Sequence, residues 1–262
     1  MALLTLSKVD KSFGGLRAIN GVSFQVEERQ IFGLIGPNGA GKTTLFNCIT
    51  GHYQPTSGDV QFMNRSLLGL KPHQIALAGV ARTFQNVRLF GQMSVLENVM
   101  VAAHHTTSSG VLGAMLRTRA HVDDEQRLTR RAGELLELFE LFELRDEPAA
   151  SLAYGSQRRL EIARALMLEP KLLLLDEPAA GLNSSEADKL KQQIRWLRDQ
   201  FSLSVVLVEH NMQVVMGACE RVLCMDHGET IAEGTPAEVR AHPAVLAAYL
   251  GDDAVASRAE HV

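Results

Sequence analysis

Apolar and polar residues alternate in LLTLSKV and VSFQV near the start of the chain, with the period of half-buried strands, and the short run IFGLI reads as a strand that feeds a glycine-rich loop at Gly36. A helix is expected from Lys42, then a strand at DVQFM, a short helix at HQIALAG and a strand at GVARTF, ending just before Gln85. From Ser94 to Asp146 the pattern becomes helical. Ser94 and Glu97 make a capping box, and Leu128, Ala132, Leu135, Phe139 and Phe142 recur at three and four as one apolar stripe. Inside this region the Ser- and Gly-bearing segment 106–122 reads as a surface excursion. In SLAYGSQRRLEIARAL, Gly155 sits where a turn opens a helix whose Leu160, Ala163 and Met167 face inward, while Gln157, Glu161 and Arg164 share another face.

LLLLDEP and SVVLVEH lack that alternation. Strands apolar at successive positions are covered on both faces, and with a helix from Ser184 to Phe201 between them they give the strand-helix-strand rhythm of a parallel sheet. RVLCMDHGETIAEG predicts a hairpin turning at His227 and Gly228. Thr235, Pro236 and Glu238 supply an N-cap, a first-turn proline and a capping glutamate, and a short amphipathic piece, AVLAAYLG, precedes a polar tail, 251–262. The fold class is α/β with a mainly parallel sheet.

At 262 residues, 46% hydrophobic and 21% charged, the chain can bury a large core. Its 26 basic and 30 acidic residues give a net charge of −4, with no basic field to suggest nucleic acid or a polybasic membrane anchor. Cys48, Cys219 and Cys224 share no CxxC spacing and read as small buried residues in a reducing compartment. The opening residues do not read as a secretory signal, and no stretch is long and apolar enough to span a bilayer, so a membrane role must come through a partner.

The chemistry begins at GPNGAGKTT. Gly36, Pro37, Asn38, Gly39, Ala40, Gly41, Lys42 and Thr43 match GxxxxGK[ST] between a strand and a helix, with Thr44 next. Such a loop curls backbone N–H groups around phosphates, directs the Lys42 charge at the outer two and sets the Thr43 hydroxyl to hold Mg²⁺. Asp176 ends the buried LLLLD run, within reach of the same metal shell, and Glu177 follows as the candidate general base for an attacking water. Gln85 and His210 also end strands. Gln85 is a candidate to orient water and metal, and His210 to hydrogen-bond a γ-phosphate.

Taken together, GPNGAGKTT, FQNVRLF, LAYGSQ, LLLLDEP, AAGLN and VEHNM, in this order, resemble the six motifs of an ATP-binding cassette (ABC) transporter ATPase along the chain to about residue 250. The resemblance implies one ABC ATPase domain, 1–250. A RecA-like P-loop NTPase core and an antiparallel β subdomain would take 1–90 and 165–235, and a helical subdomain with the signature loop 91–164. It implies that Phe13 stacks on adenine, a core phenylalanine being the other reading. It also implies two subunits packed head to tail, so that Ala153, Tyr154, Gly155, Ser156 and Gln157 of one complete the ATP site of the other. Two positions depart from the family: Ala153 replaces the usual Ser, removing a hydroxyl donor, and Asn183 replaces the usual Asp.

ARTFQNVRLFGQMSVLENVMVAAH, DEPAAGLN and GTPAEVRAHPAVLAAYLG narrow the likeness to the longer ATPase subunit of branched-chain amino acid importers. That likeness implies ATP and Mg²⁺ as cofactors, two membrane permeases, a second ATPase subunit, a solute-binding protein, and a peripheral place on the cytoplasmic face of the inner membrane. Residues 87–95, with Leu89, Phe90 and Met93, would receive a permease helix or pack as interdomain core. Urea, short amides or other amino acids stay open as solutes. A non-transport ABC protein would join two cassettes or insert coiled coils, and a GTPase would carry NKxD; the chain has none of these.

Overall fold

The computed structural model describes residues 1–85, 87–106 and 118–250; most of the expected excursion and the tail 251–262 lie outside the described residues. The chain forms two compact units, one made of Met1–Gln85 with the chain from Lys171 on, the other of Asn86–Pro170. The junctions expected from the sequence lay at 90/91 and 164/165.

The first unit holds two sheets. In chain order its opening elements are β1 (Ala2–Phe13), β2 (Leu16–Glu27), β3 (Ile31–Ile35), α1 (Lys42–Ile49), β4 (Ser57–Phe62), β5 (Arg65–Ser66), α2 (Pro72–Leu77) and β6 (Val80–Arg82). The second unit contributes α3 (Val95–Met100), α4 (Arg119–Leu138) and α5 (Tyr154–Leu166), with one 3₁₀ segment, Val101–Thr106, after α3 and two, Phe142–Leu144 and Ala149–Ser151, between α4 and α5. The first unit then resumes with β7 (Leu172–Asp176), α6 (Ser184–Phe201), β8 (Ser204–Val208), α7 (Met212–Ala218), β9 (Arg221–Asp226), β10 (Glu229–Gly234), α8 (Pro236–Ala241) and α9 (Pro243–Leu250).

Strands β2-β1-β4-β5 make an antiparallel sheet, and β10-β9-β3-β8-β7-β6 a second sheet, parallel except at β10. Every residue of β3, β7 and β8 is buried, as expected for central strands covered on both faces. One apolar cluster joins the sheets through Leu4, Leu6, Phe24, Phe32, Phe46, Leu174 and Val206, with the Phe24 and Phe32 rings stacked 4.9 Å apart. The three cysteines are free and buried.

Local signals hold at several ends. Capping boxes open α3 at Ser94, α6 at Asn183 and α8 at Thr235. His227 and Gly228 both take positive φ, the conformation a tight hairpin between β9 and β10 requires. The stripe through Phe142 is interrupted. α4 stops at Leu138, Glu140 turns left-handed at φ 55, and the N–H groups of Glu140 and Leu141 bond back to Glu137 and Leu136, closing the helix and moving Phe142 into a separate turn. Strand β6 is also shorter than GVARTF: pairing ends with Thr83 N–H donating to Leu174 O, after which the chain bends toward Gln85.

Candidate active site

In an open parallel sheet, ligands bind beyond the carboxyl ends of the strands. Here the loop 36–41 follows β3, Glu177 follows β7, His210 lies two residues beyond β8, and Gln85 lies three beyond β6, so four neighbouring strands deliver their chemistry to one edge.

The loop is built around glycine. Gly36 has φ 146, and a Cβ there would lie 2.1 Å from Met225 O; Gly41 has φ 98, and a Cβ there would lie 2.5 Å from Ala18 O. Lys42 is 6% exposed, and its ammonium donates to Gly36 O at 2.7 Å and Pro37 O at 2.9 Å. Burial holds its pKa below the ordinary lysine value, opposed by the negative charge of Glu177 and Asp176. Helix α1 starts at Lys42 with no side-chain cap, leaving the N–H groups of its first turn to an anion. Thr43 is exposed and Thr44 half-buried. Both line a cleft of about 400 Å³ with Asn38, Gly39, Ala40, Gly41, Lys42, Glu177 and Phe13. Phe13 is 42% exposed, so it is no core residue; its ring meets Tyr53 edge-on at 5.1 Å, with Lys11 Nζ 5.0 Å from its centroid.

Behind the loop, buried Asp176 accepts from Arg82 at 2.7 Å, and Arg82 also donates to Asn47 Oδ1 at 2.7 Å and lies over the Phe46 and Phe84 rings. No motif in the sequence singles out Arg82. Glu177 sits at φ 48 with its N–H bonded to Val208 O, a left-handed turn that takes the side chain off the β7 axis. Its Oε2 accepts from Gln85 Nε2 at 2.7 Å and lies 4.0 Å from His210 Nδ1. The structure thus brings together Lys42, Glu177, Gln85 and His210.

Glu209, next to His210, is fully buried and was likewise missed. It accepts from Ala179 N at 2.5 Å and from the N–H groups of His210 and Asn211 at 3.1 Å each, tying the turn after Glu177 to the turn that carries His210. Burial raises its carboxyl above the usual range against those donors. The signal available in the sequence was a lone acid at the end of an apolar run.

In the second unit, α5 starts at Tyr154 with Ala153 as an N-cap that lacks a side-chain bond, so Gly155 lies within the first turn. Ala153, Tyr154 and Gly155 are exposed, and a Cβ on Gly155 would meet nothing within 4 Å. Ser156 and Gln157 are half-buried, and the Gln157 amide reaches back to Leu152 O at 3.1 Å. Asn98, wholly buried, bonds Phe90 N and O, Met93 O and Ser94 O, fixing a loop on which Phe90 is 52% exposed. Asn183, in place of the usual Asp, caps α6 through Glu186 N at 3.0 Å, a task Asn and Asp perform equally well.

Among the described residues no cluster of three His, Cys, Asp or Glu side chains is set to hold a metal ion. Thr43, Asp176 and Gln85 are a sparse oxygen set that suits Mg²⁺, which keeps waters and takes most remaining ligands from substrate phosphates.

A family model described as ABC transporter matches residues 19–180, and one described as branched-chain amino acid ATP-binding cassette transporter matches 229–255. The chain is 46% identical to the high-affinity branched-chain amino acid transport ATP-binding protein BraF of Pseudomonas aeruginosa, over 95% of this chain and 98% of that protein. It is 47% identical to LivG of Salmonella typhimurium, which carries the same description, over the same shares. Among solved structures, the ADP conformation of an ATP-binding cassette of an ABC transporter superposes with TM-score 0.83 at 30% identity, covering 96% of this chain and 100% of that one. A dimeric cassette in a post-hydrolysis state with ADP and Pi superposes with TM-score 0.74 at 26% identity, covering 89% and 98%.

Proposed function

This chain belongs to the ABC transporter family, and we propose that it hydrolyses ATP to energise an importer of branched-chain amino acids. The observation that carries the reading is that Glu177 lines the same cleft as Lys42, Thr43 and Thr44. Lys42 and the loop N–H groups bind the phosphates, and Phe13 covers the adenine. Glu177 takes the proton of the attacking water, Gln85 orients that water, and His210 donates to the γ-phosphate. Thr43, Asp176 and Gln85 would hold Mg²⁺, which would supply neutralisation of charge on the transferred group. Removing a general base of this kind costs about 10²- to 10⁴-fold in turnover.

A second ATPase subunit packs head to tail, its signature residues 153–157 capping this chain's nucleotide while this chain's Ala153, Tyr154, Gly155, Ser156 and Gln157 cap the partner's. Support comes from the open space over Gly155 and from the dimeric cassette to which the fold is similar. Exposed Phe90 is the contact for a permease, which holds this chain at the cytoplasmic face of the membrane. None of its described helices is long and apolar enough to cross the bilayer. A solute-binding protein completes the system, and nucleic acid is not a partner.

Purified parent and Glu177→Gln proteins are compared for Mg²⁺-dependent ATP hydrolysis and ATP binding. Binding persists in the variant while turnover collapses; equal rates would remove Glu177 as the base. Vesicles bearing the assembled transporter accumulate leucine, isoleucine or valine, and uptake of urea or short amides instead would overturn the substrate assignment.

A further inference from the structure

Tyr249 is the last aromatic residue of the described chain, on α9, and it reaches the stem of the phosphate loop. Gly36 N–H donates to its hydroxyl at 2.8 Å across 213 residues of sequence. The carbonyl of that same Gly36 accepts the Lys42 ammonium at 2.7 Å. One residue is therefore tied at its N–H to the C-terminal helix and at its C=O to the phosphate-binding lysine. No larger residue fits in its place, because Met225 O fills the space a Cβ would need.

Tyr249 is 37% exposed, and the burial of its remainder pushes the phenol up to about 12; like any tyrosine it holds its proton at neutral pH, and it accepts through a lone pair. Tyr249, Val245 and Leu246 line a cavity of about 780 Å³ with Met212 and Met216 of α7. Val245 anchors α9 in the core, and the Tyr249 hydroxyl adds a directional tie to the loop.

We propose that Tyr249 is a positioning residue for nucleotide binding: through Gly36 it sets where Lys42 is held, and the docking of α9 thereby tunes the affinity for ATP. This rests on the ATPase reading above.

The test uses the full-length protein and Tyr249→Phe, which keeps the ring and removes only the hydroxyl. Loss of one such bond makes the Kd for ADP and the KM for ATP about fivefold higher, equivalent to about 1 kcal/mol, with kcat within about twofold of the parent and faster hydrogen exchange at the Gly36 amide. A residue that only supported the fold would instead lower kcat, through a smaller active fraction, and leave KM alone. That result, or parental affinity whatever the exchange at Gly36, would overturn the proposal while leaving the ATPase reading intact. A parent that binds no nucleotide would overturn both.

Discussion

Replacing Arg82 by Met tests whether the guanidinium is the counter-charge that lets Asp176 sit buried behind the phosphate loop. The two side chains are 8% and 5% exposed and 2.7 Å apart, so neither charge is solvated when the other is removed. Breaking a buried pair by deleting one partner costs about 3–5 kcal/mol. Methionine retains apolar contact with Phe46 and Phe84, which places the expected loss near the lower bound, about 3 kcal/mol. For a chain of this size that lowers Tm by about 6–12 °C. The assay is thermal unfolding of Arg82→Met, Asp176→Asn and the double variant without nucleotide. Because the double variant leaves no orphan charge, it recovers more than half of either single loss. A Tm drop below about 2 °C in Arg82→Met, or strictly additive losses, would show that the pair is not coupled and would undo this account of Asp176.

Gly155→Ala separates a role within the chain from one toward a partner: with no neighbour within 4 Å of the new Cβ and a helical position to fill, it leaves stability unchanged or raised by about 0.5–1 kcal/mol, yet it abolishes ATP turnover of the assembled dimer. Full turnover in that variant would remove the capping role. Asp10 carries a pH prediction. The Ser57 hydroxyl, the Arg17 guanidinium and Gly21 N–H hold its carboxyl down at about 2 against an ordinary 3.8, so its stabilising contribution is present above pH 3.8 and fades as pH falls through 2. The stability gap between parent and Asp10→Asn, measured by urea unfolding at several pH values, is therefore widest near neutrality, narrows below pH 3.8 and closes only below about pH 2; a gap that stays constant would contradict the assignment.

Much of the nucleotide cleft was legible in the chain because its signals are local. The spacing from Gly36 to Thr43 needs only a strand before it and a helix after it, and the buried runs LLLLD and SVVLV declare parallel strands by their lack of alternation. Caps at Asn183 and Thr235 and the turn at His227 and Gly228 are likewise matters of a few residues. The pairings that set charge and orientation are not. Arg82 meets Asp176 because β6 and β7 lie side by side, Glu209 meets Ala179 because β7 borders β8, and Tyr249 meets Gly36 because α9 returns to the stem of the loop after β3. Periodicity and capping act within a turn or two of chain. A buried arginine, glutamate or tyrosine acquires its partner from whichever strand the sheet order sets beside it, and only the folded packing decides that.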